Sequence, residues 1–346
     1  MRSTLATLAG LVALLFAADR ALAGRAEGAR LARQRVGTLF TLEEAEQLRR
    51  LPALTLEFSG ERHRYGRIEG EWRCLSRFDA PCDGRLVQEL IDAVVRAEGL
   101  VQTQRVEDAP RYGINVPETV RILLQGPRAG QAAGGDVRAV LEVGSGDEAG
   151  SFARRQGTKE IWSVAGDLRA RLARRVAPGL PPLMRESLVP QSWGEASGGI
   201  VRLERRAPDG TLIVERRERE LDPAEVRPGM LPWTWALDPG PDERIDEGLE
   251  RFVAAVESLT YVDVLDPARR AELGLETPVA TLVLVPREGA PLEFAFGSRD
   301  AEGGTASVAG TLYRLSSASL DALFVPRTAL LTELDAARAA RTEEPR

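Results

Sequence analysis

The sequence predicts an α+β protein of two repeated domains, each an antiparallel sheet packed against a long helix. Three observations predict it. First, two apolar helical stripes occupy corresponding places in the two halves. They are Leu86, Val87, Leu90, Ile91, Val94 and Val95, and then Ile245, Leu249, Phe252, Val253, Val256 and Leu259. Second, a tryptophan precedes each stripe, Trp72 and Trp235. Third, a turn motif recurs after each stripe. Tyr112-Gly113-Ile114-Asn115-Val116-Pro117 is matched by Leu273-Gly274-Leu275-Glu276-Thr277-Pro278, so that Gly113 and Gly274, like Pro117 and Pro278, stand 161 residues apart.

The elements follow in order. Arg2 precedes an uncharged, mostly apolar run from Leu5 to Ala18, and Ala21-Leu22-Ala23 follows. A basic start, a short apolar core and an A-x-A site are the parts of a secretory signal, so residues 1–24 read as a signal peptide or N-terminal membrane anchor. No later segment reaches the roughly 20 apolar residues of a membrane span. Residues 25–50 are charged and helix-prone and read as a stalk, with Thr41 and Glu44 offering a capping box. Alternation at Leu54, Leu56 and Phe58 predicts a half-buried strand, and Tyr65 to Cys74 predicts more strand around a Glu69-Gly70 turn. Asp83 is the predicted N-cap of the first helix and Gly99 its stop. Strands follow at 100–106, 120–124, 137–143 and 160–164, then an arginine-rich helix over 167–176. Proline-rich residues 178–190 mark the junction between a first repeat (51–190) and a second (191–332). The second opens on a hairpin of 200–204 and 211–216 around Pro208-Asp209-Gly210, and its helix starts near Asp242. Residues 333–346 form a polar tail.

Gly113 and Gly274 are predicted to hold a positive φ at the end of a turn, and Pro117 and Pro278 to fix the approach to the next strand, where no ladder N–H is needed. Two copies in equivalent places make these structural turn residues rather than a binding loop. Cys74 and Cys82, the two cysteines of the chain, are a candidate disulfide if the protein is exported.

These residues, taken together, resemble a known family. An apolar N-terminus, then Leu39-Phe40-Thr41-Leu42 and a short helix into a strand, Gly70-Glu71-Trp72, a helix, and Tyr112-Gly113-Ile114 with Pro117 before a strand are similar to the bacterial DUF4340 family, with the domain present twice over about 37–330. The resemblance implies a membrane-anchored protein facing the periplasm or cell exterior. It also implies a link to ABC-type transport systems of the gliding-motility kind, with membrane proteins, ABC transporter subunits among them, as partners. It supplies no catalytic residues.

The chain offers little chemistry to set against that expectation. A net charge of −6 gives no reason to expect a nucleic-acid partner. Two thiols and one histidine do not make a tetrahedral zinc site. His63 reads as a surface residue between two arginines, and no G-x-S-x-G elbow accompanies it. Gly144-Ser145-Gly146 lacks the Gly-Lys of a phosphate loop and reads as a hairpin turn. Asp263 and Asp266 are two of 52 acidic residues, with nothing to place them in a cleft. Arg169, Arg171, Arg174 and Arg175 read as a solvated face, with anionic lipid headgroups as the alternative. Trp193, Trp233 and Trp235 cluster around Pro232; exposed, they suit a sugar or a partner, and buried, they are core, the reading the match to Trp72 favours for Trp235. The expectation is thus a non-enzymatic extracytoplasmic accessory protein with no catalytic residue, metal or cofactor. The alternative is a secreted module that binds an envelope glycan or other ligand.

Overall fold

The structure is a computed structural model, and it describes residues 36–127, 135–147, 150–173, 176–190, 193, 199–218, 233–238, 247–326 and 330. The targeting segment 1–24, the first part of the stalk, Arg174, Arg175, the helix start near Asp242 with Ile245, and the tail 333–346 lie outside the described residues, as does the side chain of Trp233. Among the described residues, no helix is long and apolar enough to cross a membrane.

In chain order the elements begin β1 (Val36–Thr38), α1 (Leu42–Arg49), β2 (Ala53–Phe58), β3 (Glu61–Ile68), β4 (Glu71–Cys74), β5 (Ala80–Pro81), α2 (Gly84–Val95) and β6 (Glu98–Thr103). Next come β7 (Val120–Gln125), β8 (Val137–Asp147), β9 (Gly150–Arg155), β10 (Ile161–Ala165) and α3 (Leu168–Ala173). They continue with β11 (Ile200–Ala207), β12 (Gly210–Glu218), β13 (Trp233–Asp238), α4 (Glu247–Glu257) and β14 (Asp263–Leu265). The last are β15 (Ala280–Pro286), β16 (Leu292–Asp300), β17 (Gly303–Val308), β18 (Thr311–Ser316) and α5 (Ser317–Leu323). Segments of 3₁₀ helix, with three residues per turn, occupy Val106–Tyr112 and Pro267–Arg269. The architecture is thus mostly antiparallel sheet, in two sheets, with few helices.

The chain forms two compact units. One comprises the described residues through Gly70 together with Gly84–Ala173; the other comprises Glu71–Asp83 and the described residues beyond Ala173. In the first unit eight strands run in the order β1-β6-β10-β9-β8-β7-β2-β3. β2 is buried over Ala53–Leu56, so the hydroxyl of Thr55 needs an internal acceptor and donates to Gln125 Oε1 at 2.7 Å. The helix α1 begins as its sequence predicts. Glu44 N–H donates to Thr41 Oγ1 at 3.2 Å, and Thr41 N–H donates to Glu44 Oε2 at 2.9 Å. The α2 stripe is core, with Val87, Leu90, Ile91, Val94 and Val95 all buried.

In the second unit the order is β13-β12-β11-β15-β16-β17-β18-β14. β15 alternates fully buried Ala280, Leu282 and Leu284 with half-buried Thr281, Val283 and Val285, the signature of one covered face. Leu249, Phe252, Val253 and Val256 of α4 are core, and α4 packs on α5. The hairpin β4–β5 belongs to this unit. Asp83 N–H donates to Leu183 O at 2.9 Å, and Arg185 N–H donates to Pro81 O at 3.3 Å.

The structure corrects several expectations. The long helix expected in each half is not shown: α2 has 12 residues, and α4 has 11 within the described residues. α2 stops at Val95 because the chain turns into β6 by Glu98. Gly99 is therefore not a helix stop: it is a strand residue whose Cβ would stand 1.8 Å from the Ser163 carbonyl oxygen, so only glycine allows β10 so close. Gly144-Ser145-Gly146 is not a hairpin turn but lies inside β8, at an irregularity between Val143 and Gly146. Residues 104–106, expected as the end of a strand, lead into the 3₁₀ segment.

Candidate functional site

The recurrent Gly–Pro motif sets the geometry of a concave feature of the first unit. Gly113 ends the 3₁₀ segment with φ +70°, and its N–H donates to Pro110 O at 3.1 Å while Ile114 N–H donates to Ala109 O at 3.0 Å. Gly274 has the same φ, and the same pair of bonds runs from Gly274 to Ala271 O and from Leu275 to Arg270 O, each 3.0 Å. This is the left-handed helix stop that glycine tolerates best. The turn carbonyl then presses on the neighbouring strand. A Cβ on Gly144 would meet Tyr112 O at 1.9 Å, and one on Gly297 would meet Leu273 O at 2.1 Å. Glycine at 144 serves this backbone contact, not a phosphate.

In the first unit the residues after Gly113 form one wall of an open depression of about 540 Å³. Asn115, Val116, Pro117 and Thr119 face Glu57, Phe58, Glu61, Arg62, Arg121 and Glu142 from the β2–β3 hairpin, β7 and β8. Pro117 sits at the second position of a turn closed by Thr119 N–H to Val116 O at 2.9 Å, and Thr119 Oγ1 donates to Gly113 O at 3.1 Å. Beneath this wall lies a buried ion pair. Glu142 and Arg154 are direct cross-strand partners on β8 and β9, each 8% exposed. Arg154 Nη2 and Nε reach Glu142 Oε2 at 2.6 and 2.8 Å, and Nη2 also donates to Asn115 Oδ1 at 2.6 Å. Asn115 itself has φ +62°, a conformation asparagine tolerates better than most residues. The rim carries a second charge network, in which Glu57 takes Arg121 Nη1 at 2.9 Å and Arg62 Nε at 3.3 Å. The buried Arg121 Nε has no hydrogen-bond partner.

The lining sets three acids, Glu57, Glu61 and Glu142, against two bases, Arg62 and Arg121, and Thr119 Oγ1 is spent on the Gly113 carbonyl. His63 is not the surface residue its arginine neighbours suggest. It is 8% exposed, lies tilted against the Phe58 ring at 5.3 Å between centroids and meets Glu61 Oε2 through Nε2 at 3.0 Å. Asp263 and Asp266 are spent on local backbone, accepting from Val264 N–H at 2.8 Å and Ala268 N–H at 2.9 Å. Arg169 donates to Gly144 O at 3.3 Å, while Arg171 is exposed. Trp72 and Trp235 are both core residues at 5% exposure, and Arg216 lies 5.3 Å over the Trp235 ring. Among the described residues, no three His, Cys, Asp or Glu stand close enough together to hold a metal ion.

Cys74 and Cys82 are buried free thiols in the second unit. Cys74 faces Ala80 across the β4–β5 ladder, and Cys82 N–H donates to Trp72 O at 2.9 Å, which puts the two sulfurs on one face as diagonal neighbours. The Cys82 thiol donates to the Ala80 carbonyl oxygen at 3.9 Å, and Cys74 Sγ lies 3.5 Å from Ser76 Oγ. The neighbouring Cys82 first, then Ser76 and the Arg77 backbone, pull the Cys74 thiol down from its ordinary value. Burial first, then the Cys74 contact, pushes the Cys82 thiol up. Burial also pushes the neighbouring Tyr313 up to about 12.

Comparison of the chain with protein-family models, with curated proteins and with solved structures finds no match.

The Glu142–Arg154–Asn115 cluster is absent from what the sequence singles out. β9 is a glycine, two small residues and paired arginines around Phe152, which carries no strand signal of its own, and without β9 nothing brings residue 154 to residue 142.

Proposed function

We propose that this chain is a non-enzymatic accessory protein of the DUF4340 kind, held at the extracytoplasmic face of a membrane. In this reading it consists of two copies of one β-rich unit that present surfaces to membrane proteins, with subunits of an ABC-type transporter as the partners. The apolar run Leu5–Ala18 with Ala21-Leu22-Ala23, and the order of Leu39-Phe40-Thr41-Leu42, Gly70-Glu71-Trp72 and the Gly–Pro turn, support the location and the family.

The observation that carries the reading is a matched pair of sheets that differ at one place. The strand order β6-β10-β9-β8-β7-β2-β3 corresponds one for one to β14-β18-β17-β16-β15-β11-β12. Small apolar clusters correspond as well: Ile114 and Ile161 with Ala109 in one unit, Leu275 and Leu312 with Leu273 in the other. Followed through the registers, however, Glu142 and Arg154 fall opposite one another where the second unit has Ala295 and Ser307. Glu57, Arg62 and Arg121 likewise fall where it has Arg206, Thr211 and Thr281. Shared apolar positions suit a common fold, and a depression lined with charges where the other copy has Ala295, Thr211 and Thr281 suits a single docking site.

The test is site-specific photocrosslinking in intact cells of the full chain, with the probe at Arg62 on the rim or at the corresponding Thr211. An adduct from position 62 that contains a transporter membrane subunit, with none from 211, is the expected result. Equal labelling at both positions, or recovery of the protein from the cytosol with no membrane-protein adduct, would refute the reading.

A further inference from the structure

We infer that Cys74 and Cys82 are the site of a structural disulfide, closed while the β4–β5 hairpin is still accessible and sealed when the hairpin packs. The placement comes first. β4 and β5 pair Arg73 with Pro81 and Cys74 with Ala80, and the ladder extends through Cys82 N–H to Trp72 O at 2.9 Å. The two sulfurs share one face of that ladder as diagonal neighbours. A disulfide needs an approach to about 2.05 Å, so closing it takes rotation of both side chains and a shift of the two-residue strand β5.

The hairpin also has reason to be tied. Its tip is the five residues between Cys74 and Ala80, ending in a turn closed by Ala80 N–H to Arg77 O at 3.0 Å, with Phe78 at φ +53° and Asp79 at φ +55°. Such a turn calls for glycine or asparagine, and a bulky phenylalanine there is strained. Phe78 is moreover exposed, so burial of its ring does not offset the strain. Opposite the tip, β5 is two residues long, and Cys82 continues it only as a bridge to Met184. A covalent link across the base of the hairpin holds a strained turn that short strands hold weakly.

Timing follows from burial. Cys74 is 0% exposed and Cys82 3% exposed, so neither thiol is open to a reagent once the unit has folded. In the unpacked hairpin, the Cys74 thiolate attacks the disulfide of a donor such as oxidised glutathione and forms a mixed disulfide, releasing one donor thiolate. The Cys82 thiolate then attacks the Cys74 sulfur and releases the second. Two S–H bonds are lost and one S–S bond is formed; the two protons and two electrons end on the donor as two thiols. Packing of the hairpin, which buries both cysteines and pairs Cys82 with Met184, then shields the bond from reductants.

The experiment uses the full chain, denatured and reduced, then refolded with either oxidised or reduced glutathione. Because the donor is added in the tube, the outcome is independent of where the protein resides. After oxidative refolding, mass spectrometry is expected to find a Cys74–Cys82 link and no glutathione adduct, and the folded product should resist reductant until denaturant is added. The melting temperature should exceed that of the thiol form by about 5–10 °C, from a loop of this size in a unit of this size. The difference should vanish in the Cys74→Ala/Cys82→Ala protein. Two free thiols or a persistent glutathione adduct after oxidative refolding overturns the inference. So does a link that leaves the melting temperature unchanged.

Discussion

Removing one member of the Glu142–Arg154 pair should cost far more than removing both. Each residue is 8% exposed, and the Arg154 guanidinium has Glu142 and the Asn115 side-chain carbonyl as its partners. Glu142→Ala leaves a buried cation with one neutral acceptor, a situation worth about 3–5 kcal/mol of lost stability. Arg154→Ser leaves the buried carboxylate with no cation, at a similar cost. Glu142→Ala/Arg154→Ser installs the residues that stand at the corresponding register in the second unit, Ala295 and Ser307. No charge is then stranded, and what remains is the lost packing of two stems, about 2–3 kcal/mol. The double variant should therefore be no less stable than the worse single variant, with a coupling energy of about 3 kcal/mol or more. Chemical denaturation of the four proteins, followed by circular dichroism, measures the cycle. Single variants that each cost under about 1 kcal/mol, or costs that simply add, would show that the pair is solvated in effect and that the argument from burial is wrong.

Three further outcomes are expected. Gly274→Ala should destabilise by about 1–2 kcal/mol from the left-handed backbone alone, because its Cβ would meet Ser298 N at a tolerable 3.3 Å; Gly113→Ala should cost more, since its Cβ would meet Ser145 N at 2.5 Å, and equal losses in thermal melts would contradict the contact. Arg205 is 2% exposed and donates from Nη1 to Leu323 O and Val325 O at 3.1 and 2.7 Å and from Nη2 to Asp209 at 3.0 Å. Arg205→Met should therefore cost about 3 kcal/mol and open the chain after α5 to limited proteolysis, and Arg205→Lys should rescue little because an ammonium lacks the fork. The Arg155 guanidinium, together with the Thr41 backbone N–H, holds Glu44 down at about 2 from an ordinary 4.5. A depressed folded value means that stability is fully present above about 4.5 and is lost as pH falls through about 2. The wild type should thus show a stability slope between those values that Glu44→Gln lacks, and parallel curves would dismiss the contact.

What was legible in the sequence was whatever repeats with a short period or needs an unusual backbone. The α2 stripe, the β11–β12 hairpin and the positive φ of Gly113 and Gly274 each follow from a few neighbouring residues. The end of α2 was not legible: a stripe that stops at Val95 with Gly99 beyond it does not reveal that the chain turns into β6 by Glu98 and that β10 will press against that glycine. β17, Gly303–Val308, is buried along its whole length yet made largely of glycine, alanine, serine and threonine, so its burial comes from strands on either side and not from its own hydrophobicity. His63 was misread for a related reason. Its flanking arginines point outward on a strand, and the period of two turns His63 inward with Tyr65.

The same logic explains why the candidate site was the least legible part and why it matters. A buried ion pair is a poor route to stability: well-packed hydrophobic residues of similar volume at the same place often serve as well or better. The second unit does without the pair, having Ala295 and Ser307 there, and its sheet closes in the same strand order. Stability therefore does not account for Glu142 and Arg154. Their position does. Arg154 grips the side chain of Asn115, which follows the Gly113 stop and leads to Pro117, so the pair fixes the wall of the depression from beneath. The Gly–Pro turn was read as purely structural because it occurs twice. In the first unit it is structural in its glycine and its proline, and a candidate binding wall in the residues between them. A repeated frame with one divergent lining separates the two roles within a single motif.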